Sequence, residues 1–392
     1  MVNSNTFRPA SLGDILNENR HGTGHVKESV YWPHLSVKGQ VFGMTDLPQS
    51  VVTIDPLGEI AQGEFKNQKT RELESHIAWD QREYRAFPAG IYKLRDVILH
   101  SQVGIICFSG CVVSETLWHT IPEVHNYLWV DDCITIPDRI PYRLQGRTLS
   151  LLGIAKNYFH SVIDGVARLA LLPEASLDGI NHLLLPEGGV GQSELIRLHG
   201  LPATVSVRYV TSRDTFLVDE LVFPWTLHGV FDFHPQMNAF FDRILARTPA
   251  VSGSPTHVYV DRRGSSLRKL VNEDAVVSAV EQLGFVIVRL ENLSQLEQIT
   301  LFQNAQLVVS PHGAGLTNLC FSTPGTVIIE LMMDAYLNWC YRRIATVRKL
   351  RYDCVLGQAI GEWRLPGGDF HAQQWEIPVD KVIATIKSVT AR

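Results

Sequence analysis

The chain has 392 residues and a mass of 44.0 kDa, with 45% hydrophobic and 19% charged residues. Lys and Arg number 35 and Asp and Glu 40, which leaves a formal net charge of −5 and a pI near 6.3. This mix excludes a disordered or collagen-like chain, and the acidic balance excludes a basic nucleic-acid binder. The length predicts two domains, because single cores stop growing at roughly 250–300 residues.

The N-terminal stretch MVNSNTFRPASLGD is polar and lacks the apolar segment of a secretory signal. Residues 1–90 carry turn signals, Asp55-Pro56-Leu57-Gly58 and Pro88-Ala89-Gly90 among them, and read as an N-terminal extension with short strands. His21 and His25 lack the further His, Cys or carboxylate spacing that a metal site needs. Residues 91–140 read as β-rich, with Ile91–Leu94 and Val103–Cys107 as strands. The apolar run from Val103 to Val113 is far short of the ~20 residues that span a bilayer. Asp131 and Asp132 are adjacent, face opposite ways on a strand and make a poor metal clamp. Apolar residues at 158, 159, 162, 163, 166 and 169 then predict a helix. Leu183–Pro186 reads as a buried strand, Gln192–His199 as a helix and Val205–Val207 as a strand. A helix from His234 to Arg247 follows, and Ser252-Gly253-Ser254-Pro255 reads as a linker.

Beyond the linker the alternation is clearest. Val258–Val260, Phe285–Val288, Leu307–Ser310 and Val327–Glu330 are predicted strands. Between them lie a helix capped by Asn272, a helix opened by the capping box Ser294-Gln295-Leu296-Glu297, and a short helix from Gly315 to Phe321. Strands and helices alternating at this spacing predict a parallel sheet and an α/β class. The expected domains are 91–245 and 255–355, with a cleft between them. Residues 356–392 are expected to add a helix packing back on the N-terminal domain. The cysteines are Cys107, Cys111, Cys133, Cys320, Cys340 and Cys354, and no CxxC pair occurs. Reduced thiols, no signal and no membrane segment together predict a cytoplasmic setting.

Four features carry chemistry. Ser310-Pro311-His312-Gly313-Ala314-Gly315-Leu316-Thr317-Asn318 lies after a strand and opens a helix, where glycines and free N–H groups suit an anion. It is not the dinucleotide fingerprint, because Asn318 stands in the place of the third glycine; a nucleoside-diphosphate site without a nicotinamide fits better. Asp261-Arg262-Arg263-Gly264-Ser265-Ser266-Leu267-Arg268 follows a strand on the same predicted edge, and its arginines suit a diphosphate. Glu330, expected at a strand's end, suits ribose hydroxyls. His160 and Asp164 are four apart and share a helix face, with Asn157 beside them; either is a candidate general base. Arg342, Arg343, Arg348, Lys349 and Arg351 form a basic cluster, read either as a solvated helix face or as peripheral contact at the inner membrane surface.

In order along the chain, Asn157-Tyr158-Phe159-His160 with Asp164, Arg262-Arg263-Gly264-Ser265 with Arg268 and Asn272-Glu273, Pro311 to Asn318, and Pro324-Gly325-Thr326 with Glu330 resemble glycosyltransferase family 61. The resemblance covers 153–331. It implies a GT-B type fold, two Rossmann-like domains facing each other across a cleft. It also implies inverting, metal-independent transfer from a nucleotide-sugar, usually UDP-linked, to a glycan, polysaccharide or lipid-linked glycan acceptor, with no cofactor. Carried over by position, Arg262, Arg263, Ser265, Arg268, His312, Gly313, Ala314, Gly315, Asn318 and Glu330 would bind the donor. Asp164 or His160 would be the base and Asn157 would lie on the acceptor side. The family segment commonly reads NYFHW, and Ser161 here departs from it. The competing readings are sialyl or pyruvyl transfer on a similar fold, and a non-catalytic nucleotide- or glycan-binding module.

Overall fold

Parallel strands buried on both faces need apolar side chains throughout, and the stretch from 257 to 333 supplies them. The computed structural model describes residues 4–10, 40–47, 50–67, 79–86, 89–108, 111–113, 116, 128–130, 133–137, 139–153, 156–173, 177–225, 228–229, 232–248, 251, 253–360 and 373–391. His21, His25, Asp131 and Asp132 lie outside the described residues. The chain divides into two compact units, Met1–Pro48 with Pro88–Leu227, and Gln49–Phe87 with His228–Arg392.

The first unit is built on one large sheet. Its main strands are β1 (Gly90–His100), β2 (Tyr142–Ser150), β3 (His182–Pro186), β4 (Ser206–Val210) and β5 (Thr215–Pro224), in the spatial order β4-β3-β2-β5-β1. The first four in that order run parallel, and β1 runs antiparallel to β5. Beyond β1 the sheet continues through Ile105–Phe108, Cys111–Val113, Ser4–Ala10, Cys133–Pro137 and Leu128–Val130, mostly antiparallel. This half departs from the all-parallel sheet of a Rossmann-like domain. The cause is connection length: β1 reaches its next neighbour through residues 101–104, and so short a link only permits antiparallel pairing. The parallel part has room for helices. The crossover from β2 to β3 holds the helical stretch 158–171, and the crossover from β3 to β4 holds α1 (Gln192–His199). Gly200 ends α1 in the left-handed region, where glycine carries no Cβ penalty.

The second unit is the doubly wound half. Its elements are β6 (His257–Val260), α2 (Glu273–Glu281), β7 (Val286–Val288), α3 (Gln295–Asn304), β8 (Leu307–Pro311), β9 (Val327–Met333), α4 (Cys340–Val347), β10 (Arg351–Ala359) and α5 (Val379–Thr390). The strand order is β7-β6-β8-β9-β10, all parallel, with Trp375–Glu376 added antiparallel to β10. The order reverses between β6 and β8, so the loops leaving these two strands diverge and open a crevice at their carboxyl ends. α3 has the predicted capping box, with Ser294 and Glu297 exchanging bonds. Asn272 precedes α2, but its side chain makes no cap bond; it pairs with the backbone of Ile377.

Two segments join the second unit that the sequence placed elsewhere. The helix Glu59–Asn67 buries Ala61 and Phe65 with Met332, Trp339, Cys354 and Leu356, so part of 1–90 belongs to this core. α5 buries Val382 and Ile386 in the same unit's main cluster, with Val276, Ile329 and Val355. Its apolar face is therefore used on this sheet, not on the first unit. Cys107, Cys320, Cys340 and Cys354 are buried free thiols.

Three of the five residues in the basic cluster on and after α4 are buried, and only Lys349 and Arg351 are exposed. Arg342 is 1% exposed, donates to the carbonyls of Trp79 (2.7 Å) and Asp55 (2.9 Å), and lies over the Trp339 ring. Arg343 is buried over Tyr84 and bonds Gln81 and Asp232. Arg348 is buried and pairs with Asp242 at 2.6 Å. Neither a solvated face nor a membrane contact fits these three arginines, because they tie 49–87 and 228–245 to the sheet. Among the described residues no helix is long and apolar enough to cross a membrane.

Arg342→Ala should therefore destabilise the protein by about 2–4 kcal/mol in urea unfolding, since two carbonyls lose their donor and a cavity opens. Arg351→Ala, at an exposed position, should stay within about 0.5 kcal/mol. Equal small effects would return the cluster to the surface reading.

Candidate active site

The first unit contributes a histidine–carboxylate pair. The stretch 158–171 is not one α-helix: a single α turn (Tyr158–His160) passes into a π segment (Ser161–Gly165) and then a 3₁₀ segment (Val166–Leu171). Single π turns within helices recur at functional sites. Asn157, expected on the acceptor side, caps this helix: its Oδ1 accepts from the Phe159 N–H at 2.9 Å. The π turn brings Asp164 Oδ2 to 2.6 Å from His160 Nδ1. The Asp164 side chain is 2% exposed, whereas that of His160 is 33% exposed. A hidden carboxylate thus orients an imidazole that solvent and ligands can reach.

Sequence reasoning missed what lies behind the pair. Arg168 is buried and donates to the carbonyls of Gly165, Pro224 and Leu152. Burial pulls its pKa down to about 10, against the Asp164 charge that raises it. Ser161 and Gln192 fix the turn from outside, through Ser161 Oγ to the Val190 carbonyl and Gln192 Nε2 to the Ser161 carbonyl.

The second unit gathers most of the predicted donor residues at the carboxyl edge of its sheet. Arg262 follows β6, and its guanidinium donates to the His312 carbonyl and to Ser265 Oγ. It lies directly on Gly313, where a Cβ would come within 2.5 Å of the Arg262 Cζ. Any larger residue at 313 would push the arginine away. At Gly315 a Cβ would meet Leu290 at 2.7 Å, so this glycine lets the 3₁₀ helix Ala314–Phe321 sit close to the neighbouring loop. Arg268 places its guanidinium over the Tyr336 ring at 4.8 Å. Glu273, which the sequence offered only as part of the family resemblance, is buried and accepts from the Arg262 N–H (2.7 Å) and the Tyr259 hydroxyl (3.2 Å); burial raises its pKa.

His312 is the centre of this group. Its Nδ1 donates to Glu330 Oε1 at 2.5 Å, and Glu330 Oε2 accepts from the Tyr352 hydroxyl at 2.5 Å. The ring packs against Tyr336 and Tyr341, with centroids 5.3 and 5.0 Å away. Burial lowers the His312 pKa; Glu330 opposes this, while Arg268 and Arg262 add to it. Burial, and then the Glu330 charge, hold the Tyr352 hydroxyl well above its usual range, so it remains a donor.

Three predicted donor residues have other partners. Glu330 is not at a strand end but in the middle of β9, 0% exposed, with one bond on each oxygen. It holds His312 and presents no free carboxylate edge to a ribose. Arg263 turns to Asp261 (2.8 Å) and Asp274 (2.8 Å), the latter in the first turn of α2. Burial alone would raise the Asp261 carboxyl, but bonds from Arg263 and Arg289 outweigh it and hold it at about 2. Asn318 is buried and donates to Gln298 Oε1 (2.8 Å) and the Gly315 carbonyl (3.1 Å), bracing the 3₁₀ helix against α3. Among the described residues no group of three or more His, Cys, Asp or Glu side chains could hold a metal ion.

The electrostatics around His312 have opposed signs and can be separated. In histidine side-chain NMR His312 should titrate below the ordinary value of 6.5. Glu330→Gln should lower it further and Arg268→Ala should raise it. Shifts of the same sign in both variants would contradict this geometry.

Residues 158–329 match the family model described as Glycosyltransferase 61. A 97-residue stretch is 34% identical to an EGF domain-specific O-linked N-acetylglucosamine transferase of Xenopus laevis, covering 23% of this chain and 18% of that protein. The protein of the same name in Mus musculus is 28% identical over 123 residues, 29% of this chain and 23% of its own length. Beta-1,2-xylosyltransferase RCN11 of Oryza sativa subsp. japonica is 27% identical over 95 residues, 22% and 18% respectively. The chain thus spans about a fifth of the length of these curated relatives. Over Tyr158 to Ile329, then, the chain is similar to glycosyltransferase family 61.

Proposed function

We propose that the protein is an inverting glycosyltransferase that moves a sugar from a UDP-linked donor to a hydroxyl of a glycan or polysaccharide acceptor. One observation carries this reading. The family 61 segment spans both the His160–Asp164 pair and the arginine and glycine loops of the second unit. The relatives' names specify N-acetylglucosamine and xylose transfer, which supports a hexosyl or pentosyl donor here. A GT-B type fold is part of the same proposal.

In the proposed mechanism His160 is the base and Asp164 positions it. The Nδ1–H bond to Asp164 leaves Nε2 as the proton acceptor, and only His160 is exposed enough to reach a ligand. Nε2 takes the proton of the acceptor hydroxyl as its oxygen attacks the anomeric carbon. The bond to the diphosphate oxygen breaks on the opposite face, UDP leaves with the electron pair, and the anomeric configuration inverts. Arg262 and Arg268, with N–H groups at the start of 314–321, would offset the charge that grows on the diphosphate. Their charge is the proposed substitute for a divalent cation, so turnover should persist in EDTA.

A thermal-shift panel with UDP, GDP, CMP and NAD on the wild-type protein should show stabilisation by UDP. A preference for CMP would move the reading to sialyl transfer, and one for NAD would sink it. His160→Ala should lower kcat by about 10²–10⁴-fold with UDP affinity unchanged. Asp164→Asn should also lower kcat, by misplacing the imidazole. Full turnover in both variants would contradict the assigned base.

A further inference from the structure

We propose that Trp375 is a positioning residue for the donor site, latching the loop that carries Arg268. The proposal rests on the donor-site reading above and extends it to a segment beyond residue 329, where the family match ends.

Arg268 has φ 47°, in the left-handed region that residues with a Cβ avoid. Such a backbone persists only where its surroundings hold it. The holder here is the short strand Trp375–Glu376. The indole Nε1–H of Trp375 donates to the Arg268 carbonyl at 2.8 Å. The Trp375 N–H donates to the Lys269 carbonyl at 3.1 Å, and the Trp375 carbonyl accepts from Val271 N–H at 2.8 Å. One residue therefore engages three backbone groups within four residues, at 268, 269 and 271. The next residue, Asn272, bonds through its side chain to both the carbonyl (2.8 Å) and the N–H (3.1 Å) of Ile377, two residues beyond Trp375.

The latch is itself anchored. Trp375 is 2% exposed within the main core of the second unit. Its backbone pairs with β10 through Ala359, and its ring lies over Gly357, where a Cβ would come within 2.6 Å of ring carbon. The loop thus leans on the far side of the sheet through a rigid aromatic. The side chain set by this backbone is the guanidinium over Tyr336, whose charge reaches His312 and Arg262. Losing the Nε1 bond frees the Arg268 carbonyl, and the backbone can relax out of its left-handed conformation. The guanidinium then leaves its place over Tyr336.

The test uses the full chain and UDP itself, titrated calorimetrically. Trp375→Phe keeps most of the ring packing and removes the donor; it should weaken UDP binding about fivefold, the worth of one such bond. Arg268→Ala should weaken it at least tenfold, as for a bond to a charged group. The double variant should bind no worse than Arg268→Ala alone, because Trp375 acts through Arg268. Multiplying effects, or an unchanged affinity in Trp375→Phe, would overturn the proposal. Should Trp375→Phe unfold, Asn272→Ala loosens the same strand from its second hook and must show the same non-additivity with Arg268→Ala. A ligand-free readout separates this latch from the donor reading. Trp375→Phe, or Asn272→Ala in its place, should raise the His312 titration as Arg268→Ala does. If it does so while UDP fails to bind the wild type, the donor reading fails and the latch stands. If His312 does not move, the latch is wrong whatever UDP does.

Discussion

A carboxylate without solvent contact stands in the middle of β9, inside the run Val327-Ile328-Ile329-Glu330-Leu331-Met332-Met333. Burying an ionised carboxylate costs several kcal/mol unless strong hydrogen bonds replace its water. Glu330 has two, one from His312 and one from Tyr352. The first comes from the loop after β8, the second from the start of β10, so the carboxylate ties three adjacent strands together. His312 is thereby fixed, and its carbonyl in turn receives Arg262 from the loop after β6. The position of the candidate donor loops follows from satisfying one buried charge.

The two histidine–carboxylate pairs differ in a way that divides their tasks. In both, a buried carboxylate accepts from Nδ1. His160 keeps a third of its side chain in solvent, while His312 is enclosed by Tyr336, Tyr341 and the arginines. An exposed, oriented imidazole suits proton transfer. An enclosed imidazole that burial keeps below its normal pKa suits holding a loop. Asp261 plays a similar holding part through its ties to Arg263 and Arg289.

Much of the second unit was legible in the sequence because local signals and burial agree there. The capping box at Ser294, the β-branched strands and the glycines at 313 and 315 each have one physical meaning, and the fold uses it. Side-chain destinations were less legible. Arg342, Arg343 and Arg348 look like a charged face in sequence, yet each finds carbonyls or carboxylates supplied by segments about 100 to 290 residues away. No local pattern encodes such partners. Glu330 carried a signal that went unread: an acid with three apolar residues on either side is buried on both faces of a parallel strand, so it must be paired rather than offered to a ligand. The π turn at 161–165 was invisible for another reason. Its apolar spacing is that of a helix, and only the bonds from Gln192 and Arg168 show where the winding changes. The first unit's antiparallel half was hidden by short links that the β-rich reading of 91–140 did not resolve into pairings.

The central claim is that the loops after β6 and β8 form one anion site built for the diphosphate of a nucleotide-sugar. A crystal structure of the protein with UDP tests it most directly. The account predicts the diphosphate between Arg262, Arg268 and the N–H groups that open 314–321, with Glu330 still bonded to His312 and Tyr352. A diphosphate bound elsewhere, or Glu330 turned out to the ribose with His312 released, would contradict it.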